Sequence, residues 1–254
     1  MPEARMKAIR DLLDGVGDAG AFEERRHDVL DVDAAYRDWA ETYDEPNPLV
    51  VAEERAMLGV LEAFPAGRAA DVATGTGRLA ARLAERGHDT LVLDASDAML
   101  ARAVLGSSDV RFVRADLARL PLRDDSIDVL TCGLALTHVD ELALPIEGFA
   151  RVVAPGGVVV IPDIHPVAVA TGAHAFFRRA DGSRGVTRNR VHWPGAYVDA
   201  AVEAGLRVER CLDVLVDEWL LREFGVTDAW LDPEGAVLGL PFASIWVLRK
   251  HREG

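Results

Sequence analysis

Three aspartates, Asp71, Asp94 and Asp116, each close a short apolar run. Between the first two lies the turn Ala73-Thr74-Gly75-Thr76-Gly77. Glycines at this spacing let a backbone approach a ligand closely, and carboxylates at strand ends can accept hydroxyls, amines or cations. Gly75, Gly77 and Ala80 fit G-x-G-x-x-G/A, with an acidic residue closing the next strand, so a dinucleotide is one reading. Asp71 disfavours it. A pyrophosphate would bring like charge to about 4–6 Å from a carboxylate in a partly desolvated cleft, whereas an ammonium or sulfonium would be attracted there. Asp94 is suited to two ribose hydroxyls, and Asp116 with Leu117 to the amino edge and face of an adenine. The ordinary alternative for each aspartate is a strand-end cap or an internal ion pair.

A second group of residues could move protons. His138 lies in GLALTHVDEL, Asp163 and His165 in PDIHP, and His192 beside Trp193 in NRVHW. Histidine titrates near neutrality and can serve as a base. These histidines lack metal-ligand spacing, so no metal is expected. Tyr36, Trp39 and Tyr43 fall at helical spacing before Pro46 and Pro48, which places the Tyr43 hydroxyl near the mouth of a cleft or, alternatively, in a core.

These groups need a scaffold. From Ala69 onward, apolar runs alternate with helical patterns, with strands expected at Ala70–Thr74, Thr90–Asp94, Val110–Ala115, Ile127–Gly133 and Gly157–Pro162. GRLAARLAERG has helical periodicity with a glycine stop, and Ser96 is a suitable cap for a second helix. A helix over Pro194–Ala204 and strands at Leu206–Val214 and Ala243–Arg249 complete the pattern, the last two as an antiparallel pair. The expectation is one α/β domain: a Rossmann-like, doubly wound, mostly parallel seven-stranded sheet. A helical N-terminal cap covers 1–65, the cofactor-binding core 66–163, a lid insertion after the fifth strand 164–193, and a C-terminal helix and edge strands 194–254.

The segments DVATGTG (71–77), LVLDASDAMLARA (91–103), VRADLARLPLRDDSIDVLTCGLALTHV and GFARVVAPGGVVVIPD (148–163), in this order and spacing, resemble the class I S-adenosylmethionine-dependent methyltransferases of the small-molecule type. The resemblance implies S-adenosyl-L-methionine as cofactor. Gly75 and Gly77 would then lie along its methionine portion, Asp94 at the ribose, and Asp116 and Leu117 at the adenine, with Ala95 also in the cofactor site and Met99 on the helix walling the pocket. Asp71, Ala73 and Tyr43 would complete the cofactor site. Ala73 departs from the family, which usually has glycine there. The function implied is methyl transfer to O or N of a small metabolite, as in specialised biosynthesis. Asp163, His138, His165 and His192 are the candidate catalytic groups. The alternative keeps the cofactor but not the methylation: cyclisation of its carboxypropyl group, or scaffolded cyclisation of a substrate.

Composition narrows the partners. With 42 acidic and 28 basic side chains the formal charge is −14, unfavourable for nucleic acid or anionic lipid. The one basic stretch, RRADGSRGVTRNR, lacks interleaved aromatics and suits a solvated loop or lid. No apolar run approaches membrane-spanning length. Cys132 and Cys211, each in an apolar run, are expected to be buried free thiols, consistent with a cytoplasmic protein. A small-molecule substrate is the expected partner, with a homodimer compatible.

Overall fold

The computed structural model describes residues 28–103, 110–224 and 238–252. A two-residue strand, β1 (Asp28–Val29), leads into α1 (Val32–Trp39), where the Asp31 carboxylate caps the first turn by accepting the Ala34 amide at 2.8 Å. Asn47 caps α2 (Pro48–Leu61) in the same way, accepting the Leu49 and Val50 amides. The helix carrying Tyr36 and Trp39 thus ends before Pro46, and Pro48 starts a new one, because at the first helical position its missing N–H has no intrahelical partner to lose. The described part of the expected cap is thus a short strand and two helices joined by a turn; residues 1–27 lie outside the described residues.

Strand and helix then alternate: β2 (Arg68–Val72), α3 (Arg78–Glu85), β3 (Asp89–Asp94), α4 (Asp97–Leu100), β4 (Arg111–Arg114), β5 (Ile127–Thr131), α5 (Ala143–Val152) and β6 (Val153–Ile164). Gly87, at φ 82, ends α3 in the left-handed conformation that glycine adopts freely. Ser96 caps α4, its hydroxyl accepting the Met99 amide. The segment after β6 holds α6 (Pro166–Ala170) and the hairpin strands β7 (Ala175–Arg178) and β8 (Arg184–Thr187). The chain closes with α7 (Pro194–Glu203), β9 (Leu206–Leu215), α8 (Glu218–Phe224) and β10 (Pro241–Lys250).

Seven strands form the main sheet in the order β4-β3-β2-β5-β6-β10-β9. The first five pair in parallel, and β10 inserts between β6 and β9, antiparallel to both. A sheet buried on both faces needs near-continuous apolar strands, and Val158–Ile161 in β6 is such a run. Met57, Leu61, Leu79 and Leu83 from α2 and α3 pack on one face with Val158, Val160, Ile245 and Val247. Ile146, Phe149, Tyr197 and Ala201 from α5 and α7 pack on the other with Leu130, Val159 and Trp246. Cys132 is buried, but Cys211 is exposed, which corrects the expectation for it. The latter sits on β9, an edge strand where alternate side chains face outward. Among the described residues no helix is long and apolar enough to cross a membrane.

Beside the main sheet, β1, β8 and β7 form a three-stranded sheet. Arg179 fastens it to α1, its Nε 2.8 Å from Asp38 and its Nη1 3.2 Å from Asp28. Thr42 also donates its hydroxyl to the Arg178 carbonyl. The basic stretch is therefore partly ion-paired structure rather than a solvated loop, since Arg190 also meets Asp140 at 2.7 Å.

Candidate active site

Strand order reverses direction between β2 and β5, so the loops leaving these strands diverge and open a crevice at the carboxyl end of the sheet. The β2–α3 turn forms its floor. Three of its residues, Ala73 (φ 52), Gly75 (φ 59) and Gly77 (φ 89), have positive φ. For Ala73, at the position where the resembling family usually has glycine, this conformation costs on the order of 1 kcal/mol. A β-carbon on Gly75 would lie 3.5 Å from the Tyr43 ring and 3.6 Å from its hydroxyl oxygen, so backbone and phenol meet closely there.

Carboxylates hold this turn in shape. Asp94 accepts the Gly75 amide at 2.8 Å on one oxygen and the Ser96 amide at 2.7 Å on the other, tying the β2–α3 and β3–α4 turns together. Asp71, only 1% exposed, accepts the Thr131 hydroxyl on Oδ1 and the Thr74 hydroxyl and Ala80 amide on Oδ2. Burial raises both carboxyls above the usual range, and these hydrogen bonds oppose the rise.

A cavity of about 230 Å³ lies over the turn, lined by Tyr43, Ala73, Gly75, Asp94, Ala95, Asp116, Leu117 and His138. Exposed Asp116 also accepts the Ala118 amide at 2.8 Å. Gly77 and Met99 are not in this lining; Met99 is fully buried, because the four-residue α4 turns its side chain into the core. Asp71 lines a smaller recess shared with Tyr43, Ala73, Thr74, Arg78 and Gly133.

A second cavity, about 180 Å³, adjoins the first across Tyr36, Tyr43, Leu134 and His138. Its other walls include Trp39, Leu49, Val50, Phe176 and Phe242, with Asn47, His174 and Asn189 as polar members and, among the described residues, no Lys or Arg. The Asn189 side-chain oxygen is buried and accepts no hydrogen bond. Tyr36, Trp39 and Tyr43 form one aromatic cluster, with Trp39 stacked on Phe177 at 5.4 Å.

His138 closes the short 3-10 turn after β5, at the boundary of the two cavities. Its Nε2 lies 2.9 Å from the Tyr36 hydroxyl, with the rings edge to face at 5.5 Å. Burial lowers its pKa to about 4, outweighing the nearby Arg188 backbone, which favours the charged form. No partner meets buried Nδ1 in hydrogen-bonding geometry. Burial raises the Tyr36 hydroxyl well above its ordinary pKa, so near neutrality the pair is a phenol against a neutral imidazole.

The other expected proton carriers stand apart from both cavity linings. Asp163 is 1% exposed and accepts the Tyr197 hydroxyl at 2.7 Å, beneath α7. Burial pushes its carboxyl up to about 6. His165 caps α6, its Nδ1 accepting the Val167 amide, with Asp213 3.7 Å from Nε2. His192 donates from Nε2 to the Val139 carbonyl at 2.9 Å. Each therefore packs or caps an element instead of facing the crevice. Conversely, Leu134 (φ 54), Arg78, Glu53 and Asn189 were missed. Only Arg78, directly after the glycine turn, carried a sequence signal.

Comparison with known proteins follows the same lines. Residues 70–161 match the family described as the methyltransferase domain. A demethylmenaquinone methyltransferase of Beutenbergia cavernae is 34% identical over 141 residues, 54% of this chain and 59% of that protein. A malonyl-[acyl-carrier protein] O-methyltransferase of Pectobacterium atrosepticum is 29% identical over 205 residues, 78% of each. The structure of an S-adenosylmethionine dependent methyltransferase from Mesorhizobium loti matches with a TM-score of 0.61 at 24% identity, over 80% of this chain and 100% of that one; this likeness concerns the fold. The chain spans 56–60% of the length of the first curated relatives it matches.

Proposed function

We propose that the chain is a class I S-adenosylmethionine-dependent methyltransferase that methylates a small, uncharged, largely apolar acceptor held in the second cavity, a reading supported by the methyltransferase-domain match over residues 70–161 and the methyltransferase-like fold. The observation that carries this reading is the junction itself. An adenosyl-sized cavity over the glycine turn meets an aromatic chamber at Tyr36, Tyr43, Leu134 and His138. Asp94 would hold the ribose, Asp116 and Leu117 the adenine, and Ala73, Gly75 and Tyr43 the thioether end. When bound, S-adenosyl-L-methionine supplies an electrophilic methyl group.

The residues around the junction would align the acceptor and keep water out, which is the main catalytic requirement of an in-line displacement. Neutral His138 is placed to take the acceptor's proton at Nε2, directly or through the Tyr36 hydroxyl. The unpaired Asn189 oxygen would accept a hydrogen bond from an acceptor hydroxyl or amine. The acceptor named for the Beutenbergia relative suits this chamber better than the malonyl acceptor named for the Pectobacterium relative, whose carboxylate would meet neither Lys nor Arg in the lining. The acceptor atom thus widens from the expected O or N to an activated carbon.

Incubation with methyl-labelled S-adenosylmethionine and a metabolite extract, followed by mass spectrometry, tests the proposal. The expected result is one apolar product heavier by one labelled methyl group, with S-adenosylhomocysteine released. Release of methylthioadenosine, or cyclised substrate with the cofactor unconsumed, would replace methylation by one of the alternative chemistries.

A further inference from the structure

Arg78 is the first residue of α3 and lines the recess that opens from the cofactor cavity beside Tyr43, Ala73 and Gly133. Its Nη2 lies 2.6 Å from Oε2 of Glu53, which is fully buried on α2. Nη1, itself buried, meets no acceptor. A buried guanidinium N–H left unpaired costs more than an ordinary hydrogen bond contributes, so such groups usually mark a missing partner. Asp71, which lines the same recess, is not that partner: its oxygens are turned to the Thr131 and Thr74 hydroxyls and the Ala80 amide, and neither meets Nη1. Nor does Glu53 reach Nη1.

We propose that Arg78 receives the carboxylate of the amino-acid end of the methyl donor, with Glu53 holding the guanidinium in position. This rests on the methyl-transfer reading above. The geometry is favourable in three respects. The recess shares Tyr43, Ala73 and Gly133 with the cavity, so a ligand whose adenosyl part lies against Asp94 and Asp116 would extend its amino-acid end this way. Arg78 opens a helix, where the backbone dipole also favours an anion. Finally, a carboxylate on Nη1 would give the unpaired N–H its acceptor, so that one guanidinium could serve Glu53 through Nη2 and the ligand through Nη1, while the ligand's ammonium could face Asp71 in the same recess.

The test compares three adenosyl ligands by calorimetry: S-adenosylhomocysteine, its decarboxylated analogue, and methylthioadenosine, which lacks the whole amino-acid end. Wild-type protein should bind S-adenosylhomocysteine about ten- to a hundredfold more tightly than the decarboxylated analogue, the range expected for a charge-assisted hydrogen bond. Arg78→Gln, and the paired Glu53→Gln/Arg78→Gln variant that leaves no lone buried charge, should lose that preference while binding methylthioadenosine as wild type does. Equal wild-type affinity for the carboxylated and decarboxylated ligands overturns the proposal even if no variant folds. An equal loss for all three ligands in the variants also overturns it, because it marks damage to the pocket. Wild-type protein that binds none of the three would instead remove the methyl-transfer reading itself.

Discussion

The wall of the crevice formed by β2, β3 and β4 takes its cavity-lining groups Ala73, Gly75, Asp94, Ala95, Asp116 and Leu117 from one continuous stretch of chain. The opposite wall combines Tyr36 and Tyr43 from the N-terminal region, His138 after β5, His174 and Asn189 around the small sheet, and Phe242 in β10. The first wall is fixed by short-range hydrogen bonds, such as Asp94 to the Gly75 and Ser96 amides. Ring contacts and ion pairs between segments distant in sequence hold the second, including Arg179 to Asp38 and Trp39 on Phe177. A wall built locally can stay constant while the other changes its acceptor, because the two share few residues.

If this division is right, damage to each wall should separate binding from turnover. His138→Ala should lower turnover by about 10²- to 10⁴-fold, the usual contribution of a positioned base, and cofactor affinity far less, although the side chain borders both cavities. Tyr36→Phe should lower it less, since the imidazole stays in place. Steady-state kinetics with parallel cofactor titration checks both; if His138→Ala weakens cofactor binding as much as turnover, the histidine belongs to the wrong wall. Asp94→Ala should act the other way. It leaves the Gly75 and Ser96 amides without their acceptor and removes the ribose carboxylate, so cofactor affinity should fall about 10- to 1,000-fold. An unchanged dissociation constant would remove Asp94 from the cofactor site.

The same division explains what could be read from sequence. The parallel strands, the glycine turn and the three strand-end aspartates follow from local periodicity and spacing, and all are found at the carboxyl end of the sheet. Met99 escaped because nothing local tells whether a four-residue helix turns a given side chain to a ligand or to the core. On the distal wall, four candidate proton carriers looked equivalent as letters. Only folding shows that Asp163 is covered by Tyr197, that His165 and His192 are occupied by the Val167 amide and the Val139 carbonyl, and that His138 faces both cavities. Asn189 and Glu53 gave no signal at all, since one matters for an unpaired oxygen and the other for an ion pair with Arg78, both in buried places that only the fold creates.

Asp163 gives the comparison a stability readout. Its carboxyl is raised by burial from 3.8 to about 6 in the folded state, so the proton binds native protein more tightly than unfolded chain. The resulting stabilisation is complete below about pH 3.8 and lost as pH rises through 6. At pH 8 wild type carries the burial of an ionised group, a penalty of about 1–3 kcal/mol. Asp163→Asn keeps an acceptor for the Tyr197 hydroxyl and removes the charge. Its urea midpoint relative to wild type should therefore rise between pH 5 and pH 8, while cofactor affinity stays constant. A relative midpoint independent of pH would show that the carboxyl is not desolvated.

The last test expects almost no change. An ordinary histidine base loses activity as pH falls through about 6.5. His138, lowered to about 4 by burial, stays neutral through that interval, so as a base it is fully available from pH 8 down to about 5. Turnover at saturating cofactor should accordingly show no histidine step between pH 8 and 6. Opening the burial should create one: Trp39→Ala removes an aromatic wall of the acceptor chamber and admits water, and the step should then move up towards 6.5. A wild-type profile that already falls with an apparent pKa near 6.5 would assign the proton to a more solvated group, or leave His138 exposed in the working enzyme. A flat wild-type profile that acquires the step only in Trp39→Ala would tie the base's charge state to the aromatic cluster assembled from the N-terminal segment.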